Sequence, residues 1–232
     1  MSLKENLLSI QDRINSAIYR SGETRAVEVV AVTKTHPFKT IEESFQCGIL
    51  SIGENRVQEA MQKFKSFKDM PELTRRFIGH LQTNKVNKCL SLFDTVDSID
   101  SLRLAKKIDN QSKNLNKKTT TLLEVNTSGE AQKQGFSPIN IEDMVSAINL
   151  KNIVVEGIMT IGPNTKNKQK TREAFVTLRK LKETINAELG VERLTHLSMG
   201  MSGDFEVGIE EGSTMVRLGT ALFGERKTKN KT

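Results

Sequence analysis

Short β-branched runs and amphipathic helical stretches alternate along this chain eight times, and no other feature restricts its fold so tightly. The first run, Val27 to Lys34, reads Val-Glu-Val-Val-Ala-Val-Thr-Lys and is closed off by Pro37, which cannot extend a ladder. Further strands are expected near Ile49–Gly53, Arg76–Gly79, Thr95–Ile99, Thr120–Val125, Val154–Thr160, Thr195–Met199 and Met215–Leu218. Helices are expected between them, near Thr40–Cys47, Asn55–Phe64, Gln82–Leu90, Ser101–Asp109, Pro138–Ile148, Thr171–Leu189 and Ser202–Glu211. One more amphipathic helix, Leu3–Tyr19, comes first, with Leu7, Leu8, Ile10, Ile14 and Ile18 at helical spacing.

Strands that alternate with helices pair in parallel through crossover connections. Eight such units fit an α/β fold in which the sheet closes, a single-domain (β/α)8 TIM-type barrel with an extra N-terminal helix. That helix is expected to cover the seam where an eighth helix would otherwise lie. The barrel is assigned to residues 1–225 and a basic, flexible tail to 226–232.

Composition narrows the function classes. Lys and Arg exceed Asp and Glu by 35 to 28, a formal charge of +7, but four of the positive charges crowd into residues Arg226 to Thr232. The other basic concentrations, Lys106 to Lys118 and Lys166 to Arg172, fall in polar stretches. With no Trp and a single Tyr, Tyr19, base-stacking surfaces are lacking, so the charge reads as solvated surface and nucleic acid is not expected as a partner. Cys47 and Cys89 form no CxxC pair, the opening MSLKENLLSI lacks the apolar core of a secretion signal, and no apolar run reaches bilayer length. A cytoplasmic protein without membrane contact is the resulting expectation.

In a barrel of this type the functional groups stand at the carboxyl ends of the strands. Strand one ends in Lys34, which is either a side chain reaching to water or an amine placed to form a Schiff base with a carbonyl. The loops after strands seven and eight, where barrels often hold a phosphate, carry Ser198, Gly200, Ser202, Gly219 and Thr220. Ser202 also suits the N-cap of the next helix. Arg217 near the end of strand eight either pairs with Glu54 or Glu124 or faces a ligand's ring nitrogen. His36, His80 and His196 show no HExxH spacing, so no metal site is expected; a Walker loop and a GxGxxG turn are also missing.

Five ordered blocks carry a resemblance. Ala31-Val-Thr-Lys34-Thr-His36, Ser51-Ile-Gly-Glu-Asn55-Arg-Val-Gln-Glu59, Phe77-Ile-Gly-His80-Leu-Gln-Thr-Asn84-Lys, Leu197-Ser-Met-Gly-Met-Ser202-Gly-Asp204 and Val216-Arg217-Leu-Gly219-Thr220-Ala-Leu-Phe-Gly224 together resemble the pyridoxal phosphate homeostasis protein family. The resemblance implies a barrel like the N-terminal domain of alanine racemase, with pyridoxal 5′-phosphate (PLP) as a Schiff base on Lys34. It implies phosphate binding by Ser198, Gly219 and Thr220 with backbone from Met199, Arg217 at the pyridine nitrogen, and Asn55 and His80 lining the pocket. A cation at that nitrogen disfavours its protonation and weakens the cofactor as an electron sink. Racemisation also needs a second acid/base group, which in alanine racemase is a tyrosine from a second domain of the partner subunit. The reading is therefore a monomeric PLP carrier or buffer in PLP homeostasis without robust catalysis, with PLP-dependent apoenzymes as recipients. A slow PLP-dependent amino-acid racemase and a Schiff-base aldolase acting on a sugar phosphate are the alternatives.

Overall fold

Side chains alternate across a strand, so each strand of a closed barrel offers one row to the interior and one to the surrounding helices. The computed structural model, which describes residues 2–225, shows such a barrel; the expected basic tail lies outside the described residues. Its strands are β1 (Glu28–Val32), β2 (Ser51–Glu54), β3 (Thr74–Phe77), β4 (Thr95–Ile99), β5 (Thr119–Glu124), β6 (Ile153–Met159), β7 (His196–Met201) and β8 (Met215–Leu218). They close in sequence order with every pairing parallel, and β8 meets β1 with Arg217 beside Val30 and Leu218 beside Ala31.

Around the barrel lie α1 (Leu3–Ser21), α2 (Phe38–Gln46), α3 (Val57–Lys63), α4 (Val86–Leu92), α5 (Leu102–Asn114), α6 (Ile141–Ile148), α7 (Lys168–Leu189), α8 (Phe205–Glu210) and α9 (Thr220–Phe223). The opening helix begins with a capping box, in which Ser2 and Glu5 each satisfy the other's backbone N–H, and ends at Gly22 with φ +70°. It packs on α8 and α9 through Ile10, Ile14 and Ala17, and Asn6 Nδ2 donates to the Leu222 carbonyl at 2.8 Å. The expected cover over the last seam is therefore present. One element was not expected from the sequence: a single turn, α9, follows β8. The helix expected over Gln82–Leu90 starts with a 3-10 turn, Thr83–Lys85, before α4 runs on to Leu92. β1 stops at Val32, two residues before Lys34, because Thr33 to Thr35 already form the turn into α2.

Most apolar burial lies between the strands and the helices, where Phe77, Leu123, Phe175 and Met199 belong to one buried cluster and Ile41, Ile52, Phe205 and Leu218 to another. Inside the barrel Val30, Leu122, Met159 and Met215 form an apolar plug. Near the amino ends of the strands, Arg76 joins Glu28 at 3.1 Å and Asp97 at 3.3 Å. At the opposite end the interior opens into a cavity.

Candidate functional site

The mouth of the barrel encloses a cavity of about 500 Å³, lined by Lys34, Asn55, Ile78, His80, Glu124, Lys133, Arg217, Gly219 and Thr220 among others. That volume falls within the range of small-molecule sites, about 300–1,000 Å³. Strand parity explains the membership. Val32 and Lys34 continue the inward row of β1 that begins at Val30, while Ala31 faces the helices. In the same way Glu124 follows Leu122 on β5, and Arg217 follows Met215 on β8.

Arg217 is the best-anchored of these groups. It is 5% exposed, Nη1 donates to the Ser198 carbonyl at 2.8 Å and to Ser198 Oγ at 2.7 Å, and Nη2 donates to the Thr160 carbonyl at 2.7 Å. Three donations to fixed oxygens leave the guanidinium plane little freedom. Of the two readings open for this arginine, pairing with Glu54 is ruled out by the wall of the barrel. Glu54 faces outward, where Lys63 and Thr33 hold it. Burial pulls Arg217 below its ordinary pKa, against the opposing fields of Glu124, Asp97 and Asp204. Burial likewise pushes Glu124 above the usual carboxylate range, with Arg217 opposing.

Lys34, Asn55, His80, Ser202, Arg217, Gly219 and Thr220, all singled out from the sequence, come together on this cavity. Ser198 and Met199 do not line it. Ser198 is fully buried and its hydroxyl is spent on Arg217, so it acts by fixing that guanidinium. Met199, one residue further along β7, has the opposite parity and packs in the layer between barrel and helices. The N-cap expected at Ser202 lies at Asp204 instead; Ser202 Oγ accepts from the N–H groups of Gly219 and Ala221 at 3.2 and 3.1 Å, tying the two carboxyl-terminal loops together. Thr220 has neither its N–H nor its hydroxyl bonded to a partner among the described residues, which leaves two donors at the cavity wall.

Sequence reading missed Lys133 and Gln134. They reach the cavity on the loop after β5, and Lys133 Nζ donates to the Gly162 carbonyl at 2.7 Å and pairs with Glu130. The loop folds back because Phe136 exchanges backbone hydrogen bonds with Glu124 and Asn126, a long-range contact that no local pattern announces. His80 Nδ1 lies 3.0 Å from Asp100 Oδ2. The remaining histidines stand elsewhere, His36 against Phe223 and His196 beside Thr214. Tyr19 is 88% exposed on α1 and does not line the cavity. Lys34, Lys133 and Arg217 against the lone acid Glu124 make the lining favour an anion.

The family model for the alanine racemase N-terminal domain matches residues 3–227. A pyridoxal phosphate homeostasis protein of Aquifex aeolicus (strain VF5) is 41% identical over 229 residues, covering 98% of this chain and all of that one. The chain belongs to the pyridoxal phosphate homeostasis protein family. A Bos taurus member is 36% identical over 240 residues, 97% of this chain and 88% of its own. Among solved structures, PipY of Synechococcus elongatus PCC7942, determined with PLP bound, superposes with a TM-score of 0.84 at 32% identity, over 96% of this chain and 100% of PipY. Alanine racemase of Clostridium difficile 630 shares the fold, with a TM-score of 0.74 at 17% identity over 98% of this chain and 58% of that enzyme.

The cavity fits PLP on its own chemistry. It offers an amine able to react with an aldehyde, a buried guanidinium and, at Thr220, two donors without a partner among the described residues.

Proposed function

We propose that this chain binds PLP in the cavity at the mouth of the barrel, through a covalent bond from Lys34, and serves PLP homeostasis as a carrier without robust catalysis. One observation carries the reading: Lys34 and the rigidly anchored Arg217 share a cavity of about 500 Å³ with the free donors of Thr220. When bound, PLP supplies an aldehyde for covalent attachment and a pyridine ring that accepts electron density. Arg217 presents a fixed cation to the ring, Thr220 with Gly219 meets the phosphate, and Asn55 and His80 border the ring. Recipients are PLP-dependent apoenzymes, and the chain acts in the cytoplasm as a monomer.

Two features support carriage over catalysis. A fixed guanidinium at the ring nitrogen opposes its protonation, and the single tyrosine lies far out on α1. His80 at the cavity wall, with Asp100 behind it at 3.0 Å, favours the slow racemase as second reading, since an imidazole oriented by a carboxylate can move a proton. The test is an absorption spectrum of purified protein mixed with PLP, before and after borohydride, with mass analysis of the Lys34 peptide. A phosphopyridoxyl adduct on Lys34, absent from a folded Lys34→Ala variant, is the expected result. A protein that stays colourless and unmodified overturns the reading. Incubation with L-amino acids in heavy water then separates the two readings. A carrier exchanges no α-proton beyond the rate of free PLP, and a racemase does.

A further inference from the structure

Behind the wall that carries Lys34, an ion-pair relay that joins Glu54 of β2 to Lys63 and the partly exposed Glu59 of α3 grips both peptides that flank it. Lys63 is only 7% exposed, and its ammonium pairs with Glu54 Oε1 at 2.6 Å and Glu59 Oε1 at 3.0 Å while donating to the Thr33 carbonyl at 2.9 Å. Glu59 in turn accepts the N–H of Thr35. Glu54 is fully buried, takes the Thr33 hydroxyl at 2.6 Å on Oε1 and leaves Oε2 with no partner. Thr35 sits at φ +68°, a region unfavourable for a β-branched residue. So the carbonyl one residue before Lys34 and the N–H one residue after it are held by a single Lys63–Glu59 couple, and the second of these sustains a strained backbone.

Packing alone is a poor account of this arrangement. Buried ion pairs seldom add net stability over apolar residues of the same volume, and the buried Lys63–Glu54 pair leaves Glu54 Oε2 unsatisfied among the described residues. Residues in sparsely populated backbone regions persist where the surroundings over-determine them, and they cluster where a side chain must be aimed.

We infer that Lys63 and Glu59 are positioning residues for Lys34: they lock the Thr33–Thr35 turn so that the Lys34 amine keeps its inward aim, and they thereby set how firmly the protein captures an aldehyde-bearing ligand. This rests on the reading of Lys34 given above. Capture joins the Lys34 nitrogen to the aldehyde carbon with loss of one water and no change of oxidation state. The relay faces the helix layer, so it acts on that covalent bond and leaves the phosphate and ring contacts unaffected.

The test compares PLP with pyridoxine 5′-phosphate, which carries an alcohol in place of the aldehyde and cannot join to an amine. In Glu59→Ala, PLP affinity falls about tenfold, equivalent to about 1.4 kcal/mol, while pyridoxine 5′-phosphate binds as in wild type. Glu59→Gln keeps an acceptor for Thr35 and retains most of the PLP affinity. Thr35→Gly in the Glu59→Ala background restores it, because glycine needs no clamp at positive φ. Equal losses for both ligands, or an unchanged PLP affinity in Glu59→Ala, overturn the proposal. Failure of the underlying reading looks different: wild type then binds both ligands equally and yields no borohydride adduct on Lys34.

Discussion

At the residue scale the site depends on a few atoms whose partners are already decided. Ser198 illustrates the point: from the sequence its hydroxyl belongs with the phosphate ligands, yet it accepts from Arg217 and is closed off from the cavity. Thr220, by contrast, keeps its donors free. A hydrogen bond to a charged group contributes about 1.5–3 kcal/mol, so Thr220→Ala is expected to weaken PLP retention by roughly tenfold or more, read as the dissociation constant by dialysis. Gly79 constrains the same wall sterically. A Cβ there would lie 2.3 Å from the Asn55 carbonyl oxygen, beside two cavity residues, Ile78 and His80. Gly79→Ala is expected to cost about 1–3 kcal/mol, as overpacking does, and to lower the melting temperature by several degrees. An unchanged melting curve would show that the β2–β3 wall yields more easily than its geometry implies.

At the scale of elements, the seam between α1 and α8 joins the first helix to the connection between β7 and β8. Arg13 stacks over Phe205 and pairs with Glu206 at 3.1 Å, while Arg20 pairs with Glu210 at 2.7 Å. The Arg13 hydrogen bond holds Glu206 below its ordinary pKa; burial alone would raise Glu210, but Arg172 and Arg20 outweigh it. A depressed carboxylate contributes stability that is complete above its unfolded pKa, about 4.3, and is lost as pH falls through the lower folded value. Urea midpoints are thus expected to fall as pH drops below about 4.3, and a Glu206→Gln/Glu210→Gln variant should show a shallower decline. Equal slopes would remove these two acids from the account. Element order was legible because hydrophobic period and β-branching are local signals, as in β4, where Thr95–Ile99 appears with the expected bounds. The single turn α9 was not, because four residues between Gly219 and Gly224 offer no periodicity to read.

At the scale of the whole molecule, the barrel is closed at one end by charge and open at the other for a ligand. Arg76 bridges the buried Asp97 and the partly exposed Glu28 near the amino ends of the strands, and burial already raises Asp97 against the pull of Arg76. Removing one member of a buried pair costs about 3–5 kcal/mol, so Arg76→Met is expected to be severely destabilised. Its pH dependence has a definite sign. With Asp97 raised above its unfolded pKa of about 3.9, the folded state binds the extra proton, so the contribution of Asp97 in the variant is most favourable below that value and is lost as pH rises through the folded one. Denaturant titrations of variant and wild type from acid to neutral pH check this, and a stability deficit of the variant that shrinks as pH rises contradicts the assignment. Because the charged cluster and the cavity lie at opposite ends of the strands, the loss falls on folding before it falls on the ligand site.

The sequence by itself determined the alternation of strands and helices, and with it the closed parallel barrel. It also placed Lys34, Asn55, His80, Arg217, Gly219 and Thr220 at strand ends that converge, because a parallel barrel sends every such end to one mouth. Tertiary structure alone decided which hydroxyl was free, that of Thr220, and which was consumed, that of Ser198. It alone brought Lys133 to the cavity and set Lys63 and Glu59 behind Lys34. Local periodicity encodes which face a residue takes, whereas hydrogen-bond partners drawn from distant strands and loops exist only once the barrel has closed.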